Sequence, residues 1–97
     1  MKNIKEKVSV IMPAYKEVGH IAESIDITAK TFQDFGCLWE LIVVDDGSKD
    51  GTYEAAVEAA KRYNGQVIVK KNAFNIGKGR ALKRAIHFVS GDYTVLL

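Results

Sequence analysis

Leu41-Ile42-Val43-Val44-Asp45-Asp46-Gly47-Ser48-Lys49-Asp50-Gly51-Thr52 is the stretch whose reading decides the fold. Four apolar residues, three of them β-branched, stop abruptly at two carboxylates and a glycine. A short continuous apolar run of this kind reads as a strand covered on both faces, as in parallel sheets flanked by helices. Asp45 and Asp46 then emerge at the carboxyl end of a buried strand, where open α/β sheets bind ligands. An isolated Asp-Gly-Ser is usually only a turn, with Asp and Ser bonding to their own backbone and Gly at positive φ. The longer string, with its second Asp-Gly-Thr, favours a site.

Outward from this strand the pattern repeats. Strands are expected at Val8 to Met12, Trp39 to Val44, Gln66 to Lys70 and Tyr93 to Leu97, each short and rich in β-branched or aromatic residues. Helical spacing fills the gaps: Ile21, Ile25, Ala29 and Phe32 with Gly36 as cap; Tyr53, Ala56, Val57 and Ala60 with Gly65 behind; Ala81, Leu82, Ala85, Ile86 and Val89 with Gly91 behind. Pro13, the sole proline, is expected to stop the first strand. Alternating strands and helices with right-handed crossovers predict a Rossmann-like, three-layer α/β sandwich with a mostly parallel sheet. The last strand ends mid-run at Leu97, so residues 1–97 read as a domain truncated after its fourth strand. Such a strand presents unpaired N–H and C=O groups and is expected to promote a homo-oligomer.

Composition narrows the function classes. With 97 residues, 47% hydrophobic and 27% charged, the chain is an ordinary globular domain, and a net charge of +2 argues against nucleic acid as a partner. Lys70, Lys71, Lys78, Arg80, Lys83 and Arg84 nevertheless gather late in the chain, where a local anion site could form. The single Cys37 makes no internal disulfide, and no basic start with an apolar core marks a signal peptide. No apolar stretch approaches the roughly 20 residues of a transmembrane segment, so a cytoplasmic location is expected. His20 and His87 lie in no metal-ligand spacing.

Two further loops leave the carboxyl ends of strands. In Pro13-Ala14-Tyr15-Lys16-Glu17, Tyr15 offers a flat ring to stack on a base or sugar and Glu17 a carboxylate acceptor. In Asn72 to Ala81, Gly77 and Gly79 flank Lys78 just before a helix, whose free N–H groups with Lys78 and Arg80 form a seat for phosphate. It is not a Walker A loop, since the leading glycine and the following Ser or Thr are missing, nor a dinucleotide fingerprint, which needs a third glycine. All three loops face one crevice, and together they predict a nucleotide pocket.

Val8-Ser9-Val10-Ile11-Met12-Pro13-Ala14-Tyr15-Lys16-Glu17, Val43 to Thr52, Asn75-Ile76-Gly77-Lys78-Gly79 with Ala81-Leu82, and Gly91 to Leu97 occur in the order of a known family. The chain resembles the amino-terminal part of family 2 glycosyltransferases with the GT-A fold, in particular the polyprenyl-phosphate sugar transferases such as dolichol-phosphate mannose synthase. The resemblance implies strand order 3-2-1-4, a UDP- or GDP-sugar donor, and transfer to a polyprenyl phosphate or saccharide. It implies Pro13, Tyr15 and Glu17 beside the base, Asp46 with Asp45 supporting on base or ribose, and Lys78 near the diphosphate. Lys16 departs from the asparagine usual in the family and is expected to tune the loop. In the family an Asp-x-Asp motif holding Mg2+ or Mn2+ follows the strand that matches Tyr93 to Leu97. No catalytic residue or metal ligand is therefore assigned within residues 1–97, and these residues alone are expected to retain no metal and to be inactive. The full-length enzyme is expected at the cytoplasmic face of the membrane. The alternative is a non-catalytic nucleotide-binding or interaction module.

Overall fold

Leu41, Ile42 and Val43 are fully buried and Val44 nearly so, and this run sets the layering. In the computed structural model, which describes residues 6–97, the strands are β1 (Lys7–Ala14), β2 (Leu38–Asp45), β3 (Val67–Lys71) and β4 (Tyr93–Leu96). The helices are α1 (Ile21–Phe35), α2 (Thr52–Ala60) and α3 (Lys78–Ala85). The sheet has the order β3-β2-β1-β4 and every pairing is parallel. Because side chains alternate along a strand, Trp39, Leu41 and Val43 face one layer, with Ile21, Ile25 and Ala29 of α1 and Ala56 and Ala59 of α2. Ile42 and Val44 face the other, with Ala81 and Ala85 of α3. Each large aliphatic so buried contributes about 1.5–3 kcal/mol.

Local expectations are corrected at several points. The first strand does not stop at Pro13: β1 runs on to Ala14, with Pro13 opposite Val44. The Ala14 carbonyl accepts from Asp46 N–H on the β2 side, and the Ile11 carbonyl accepts from Leu97 N–H on the β4 side. By that alternation Pro13 turns its ring nitrogen to the β4 side, beyond the last paired residue of β4, where no ladder donor is called for. The second correction concerns α3, which ends at Ala85. A tighter 3-10 turn over Ile86–Phe88 follows and leaves Ile86 52% exposed instead of in the core. In α2, finally, the buried residues are Thr52, Ala56 and Ala59, with Tyr53, Val57 and Ala60 flanking them.

Gly91 serves close approach and not helix capping. A Cβ there would lie 2.6 Å from Ser9 Oγ and 2.8 Å from the Lys7 carbonyl oxygen. The reason for the tight fit is a buried acid. Glu40, on β2, accepts from the Ser9 hydroxyl (2.6 Å) and Ser90 N–H (2.7 Å) through Oε2, and from the Ser90 hydroxyl (3.0 Å) through Oε1. Gly91 N–H in turn donates to Ser9 Oγ at 2.8 Å, and Lys7 Nζ stands 3.4 Å from Glu40 Oε1. This cluster ties the turn before β4 to β1 and β2.

Burial pushes the Glu40 carboxyl up, but the bonds from Ser9 and Ser90 and the Lys7 charge outweigh it and hold the group below its ordinary value. A depressed acid contributes stability that is complete above the unfolded-state pKa and lost as pH falls through the folded-state value. Urea denaturation should therefore show stability dropping as pH enters the carboxylate range. Glu40→Gln should be less stable near neutrality by about 1.5–3 kcal/mol and lose that acid-dependent component. An unchanged acid limb in the variant would refute the assignment.

Candidate functional site

The loops after β1, β2 and β3 meet at the carboxyl end of the sheet, and Asp46 is where they are joined. Its Oδ1 accepts from Asn72 Nδ2 (2.9 Å) and Ile76 N–H (3.1 Å), and its Oδ2 from Gly77 N–H (3.0 Å). Burial pushes this carboxyl up, yet these hydrogen bonds together hold it below the usual carboxylate range. A carboxylate offers about four acceptor directions, so one on Oδ2 remains for a ligand. Gly47 follows at φ 82°, and a Cβ there would stand 2.5 Å from the Phe74 carbonyl carbon and 2.6 Å from Asn75 N. Only glycine both takes this conformation and lets the third loop cross so closely.

The first loop is fastened by the same segment. Ser48 Oγ accepts from Lys16 N–H at 2.8 Å and Thr52 Oγ1 accepts from Glu17 N–H at 2.9 Å. The Thr52 hydroxyl donates onward to Asp50 Oδ1, which chiefly holds Asp50 below its ordinary value. Lys16 sits at φ 56°, in the left-handed region that asparagine tolerates better than lysine.

The resulting hollow, about 380 Å3, is lined by Pro13, Ala14, Tyr15, Glu17, Asp46, Asn75, Gly77 and Lys78. Five of the six residues expected from sequence are thus brought together. Tyr15 is 40% exposed, with the Lys16 ammonium 5.2 Å from its ring centre. Lys78 opens α3, whose first-turn N–H groups point to the same end. Asp45 is not among the lining residues. It is fully buried, its Oδ2 accepting from Ser48 N–H at 3.1 Å, while its Oδ1 has no hydrogen-bond partner. A second hollow of about 460 Å3, lined by Met12, Pro13, Glu17, Lys78 and Leu97 among others, opens between the ends of β1 and β4, the switch point of the sheet.

Sequence reasoning missed Ser48, Thr52 and Asn72 because each acts on a neighbouring loop instead of on the hollow. A signal was present: hydroxyls at fixed places after the acidic pair, and a buried Asn at the end of β3.

The sequence profile of the family described as "Glycosyl transferase family 2" matches residues 9–97. The chain belongs to this family. It is 33% identical over 92 residues to an undecaprenyl-phosphate 4-deoxy-4-formamido-L-arabinose transferase of Salmonella paratyphi B, covering 95% of this chain. It spans 28% of that relative's length. Among solved structures, a mannosyltransferase from Pyrobaculum calidifontis in complex with GDP-Man and Mn2+ superposes with TM-score 0.80 at 27% identity, covering 95% of this chain and 27% of the other. Glucosyl-3-phosphoglycerate synthase from Mycobacterium tuberculosis, in complex with Mn2+, UDP and phosphoglyceric acid, gives TM-score 0.75 at 30% identity, covering 95% and 32%. The fold is that of the GT-A glycosyltransferases.

Metal accompanies nucleotide in both of those complexes. The two carboxylates diverge, Asp45 toward Ser48 and Asp46 toward the Asn72–Gly77 loop, and the three bonds to Asp46 all come from N–H donors. Among the described residues no three His, Cys, Asp or Glu side chains are grouped so as to hold a metal ion. These carboxylates do not fit a divalent cation.

Two substitutions test the loop junction. Gly47→Ala should cost roughly 2–4 kcal/mol, from the left-handed conformation and the backbone clash together, read as a lowered Tm. Lys16→Asn should stabilise by about 0.5–1 kcal/mol, because the left-handed conformation costs asparagine less. A neutral Gly47→Ala or a destabilising Lys16→Asn would contradict this geometry.

Proposed function

We propose that the hollow among the three loops holds the nucleoside diphosphate of a UDP- or GDP-sugar, and that the chain is the donor-binding part of an enzyme transferring that sugar to a polyprenyl phosphate or saccharide. The observation that carries this is convergence: an exposed aromatic ring, one free acceptor direction on a buried carboxylate, and a lysine at a helix start line a single hollow. Tyr15 supplies the stacking face for the base, with Pro13 as the wall behind it. Asp46 accepts from the base or ribose, and Glu17 from a sugar hydroxyl. Lys78 and the first-turn N–H groups of α3 receive the diphosphate.

The same placement bears on the reaction. As the bond from the anomeric carbon to the diphosphate oxygen breaks, negative charge grows on the leaving phosphate. In this reading Lys78 and the α3 amino end face that charge, and the backbone N–H groups of the helix start supply electrostatic stabilisation. Asp45 takes a supporting role, holding the turn at Ser48 that in turn fixes Lys16. Mg2+ or Mn2+ is proposed for the whole enzyme, but the described residues are given no part in holding it. The undecaprenyl-phosphate transferase among the relatives supports a lipid phosphate as acceptor, and with it a place at a membrane, for which the cytoplasmic face is proposed.

Chemical-shift titration of this chain with UDP and with GDP provides the test. Signals of Tyr15, Asp46 and Lys78 should move together, with one nucleotide preferred. Asp46→Ala should weaken binding about ten- to a hundredfold, because hydrogen bonds to charged groups contribute roughly 1.5–3 kcal/mol. If neither nucleotide perturbs these residues, the hollow is only the packing of three turns and the proposal fails.

A further inference from the structure

Charge is distributed unevenly along this chain. Residues 59–91 hold Lys61, Arg62, Lys70, Lys71, Lys78, Arg80, Lys83 and Arg84 and no acidic residue, so all 12 acidic residues lie outside that segment. Folding concentrates the asymmetry. Arg80, Lys83, Arg84 and His87 surround a shallow hollow of about 380 Å3 on the outer side of α3, with Ile76 at its end. Lys70 joins them from β3, its Nζ 4.7 Å from the ring centre of Phe88. None of the ion pairs among the described residues uses Lys70, Arg80, Lys83 or Arg84. Glu40, on the same face of the sheet, is buried and engaged with Ser9, Ser90 and Lys7. In the turn that follows α3, Ile86 is 52% and Phe88 40% exposed.

We propose that this outer face of α3 and its following turn docks on an anionic phospholipid bilayer. Unpaired Lys and Arg are attracted to a negatively charged lipid surface, and exposed apolar side chains between them enter the headgroup boundary. A nucleic acid would use the cations but gain little from Ile86, and the Phe88 ring, already covered on one side by Lys70, is a poor platform for base stacking. The whole chain's charge of only +2 gives little general affinity for polyanions, so a local cluster of unpaired cations is needed for such attraction. The docking face does not depend on the donor site, since Arg80, Lys83, Arg84, Ile86 and Phe88 do not line the hollow that holds Asp46.

Vesicle flotation of this chain tests the assignment. Vesicles of phosphatidylcholine mixed with phosphatidylglycerol should carry the protein up the gradient, and vesicles of phosphatidylcholine alone should not. Binding should fade as salt shortens the screening length below about 10 Å. The exposed double variant Lys83→Ser with Arg84→Ser should lose roughly tenfold or more in partitioning, and Ile86→Ser should weaken it severalfold. The pair Lys30→Ser with Lys61→Ser removes the same charge elsewhere and should stay within about twofold of the parent. The proposal is overturned by equal losses in both double variants, by indifference to phosphatidylglycerol, or by tighter binding to a single-stranded oligonucleotide. Displacement from vesicles by UDP or GDP would also overturn it, by making the patch part of the nucleotide site. Failure of nucleotide titration would leave this result untouched.

Discussion

A single carboxylate fixes the relation between the sheet and its ligand loops. Asp46 stands at the end of the most buried strand and accepts three N–H donors from the loop that follows the neighbouring strand. The loop from Asn72 to Gly77 gains little anchoring from its apolar side chains, since Phe74 is 69% exposed. Without the carboxylate its amides would turn to water, and the start of α3 would lose its place beside β1. Because the acid is buried and charged, the arrangement is directional: the donors must come to it, since it has no water shell to fall back on.

The rest of the Asp-Asp-Gly-Ser segment extends the same logic. Gly47 permits the crossing, Ser48 and Thr52 hold the first loop by its amides, and Asp45 turns inward to hold Ser48. The segment is therefore mainly a clamp, and only one acceptor direction of Asp46 is left to face a ligand. Binding and folding are coupled at that residue. Any change to it disturbs the position of Lys78 as well as the contact it makes itself.

At the opposite end of the sheet a second buried acid does a parallel task. Glu40 gathers the turn before β4 as Asp46 gathers the turn before α3, and each is held in its charged form by hydrogen bonds stronger than the desolvation that opposes them. Both lie on β2. The central strand thus carries a buried acid near each end and apolar residues between, so its sequence specifies the neighbours of the sheet at both edges.

The sequence by itself determined the layers, the parallel order and the crevice. Those follow from apolar periodicity, from the unbroken run Leu41 to Val44, and from motif order, all of which are local properties of the chain. That Tyr15, Glu17, Asp46 and Lys78 share one hollow was likewise legible, because their loops all leave the carboxyl ends of parallel strands. That adjacent strand residues diverge follows from alternation, but only the tertiary structure showed Asp45 fully enclosed and Asp46 engaged by the Asn72–Gly77 loop. It also decided that Pro13 remains in its strand and that Gly91 serves an approach to Ser9 instead of a cap. Ile86 kept a helical spacing but was turned outward by the 3-10 step, because α3 is too short to carry its stripe that far. At Pro13 and Gly91 the deciding contact joins residues distant in the chain, Val44 and Ser9 respectively, and local pattern carries no record of such a partner.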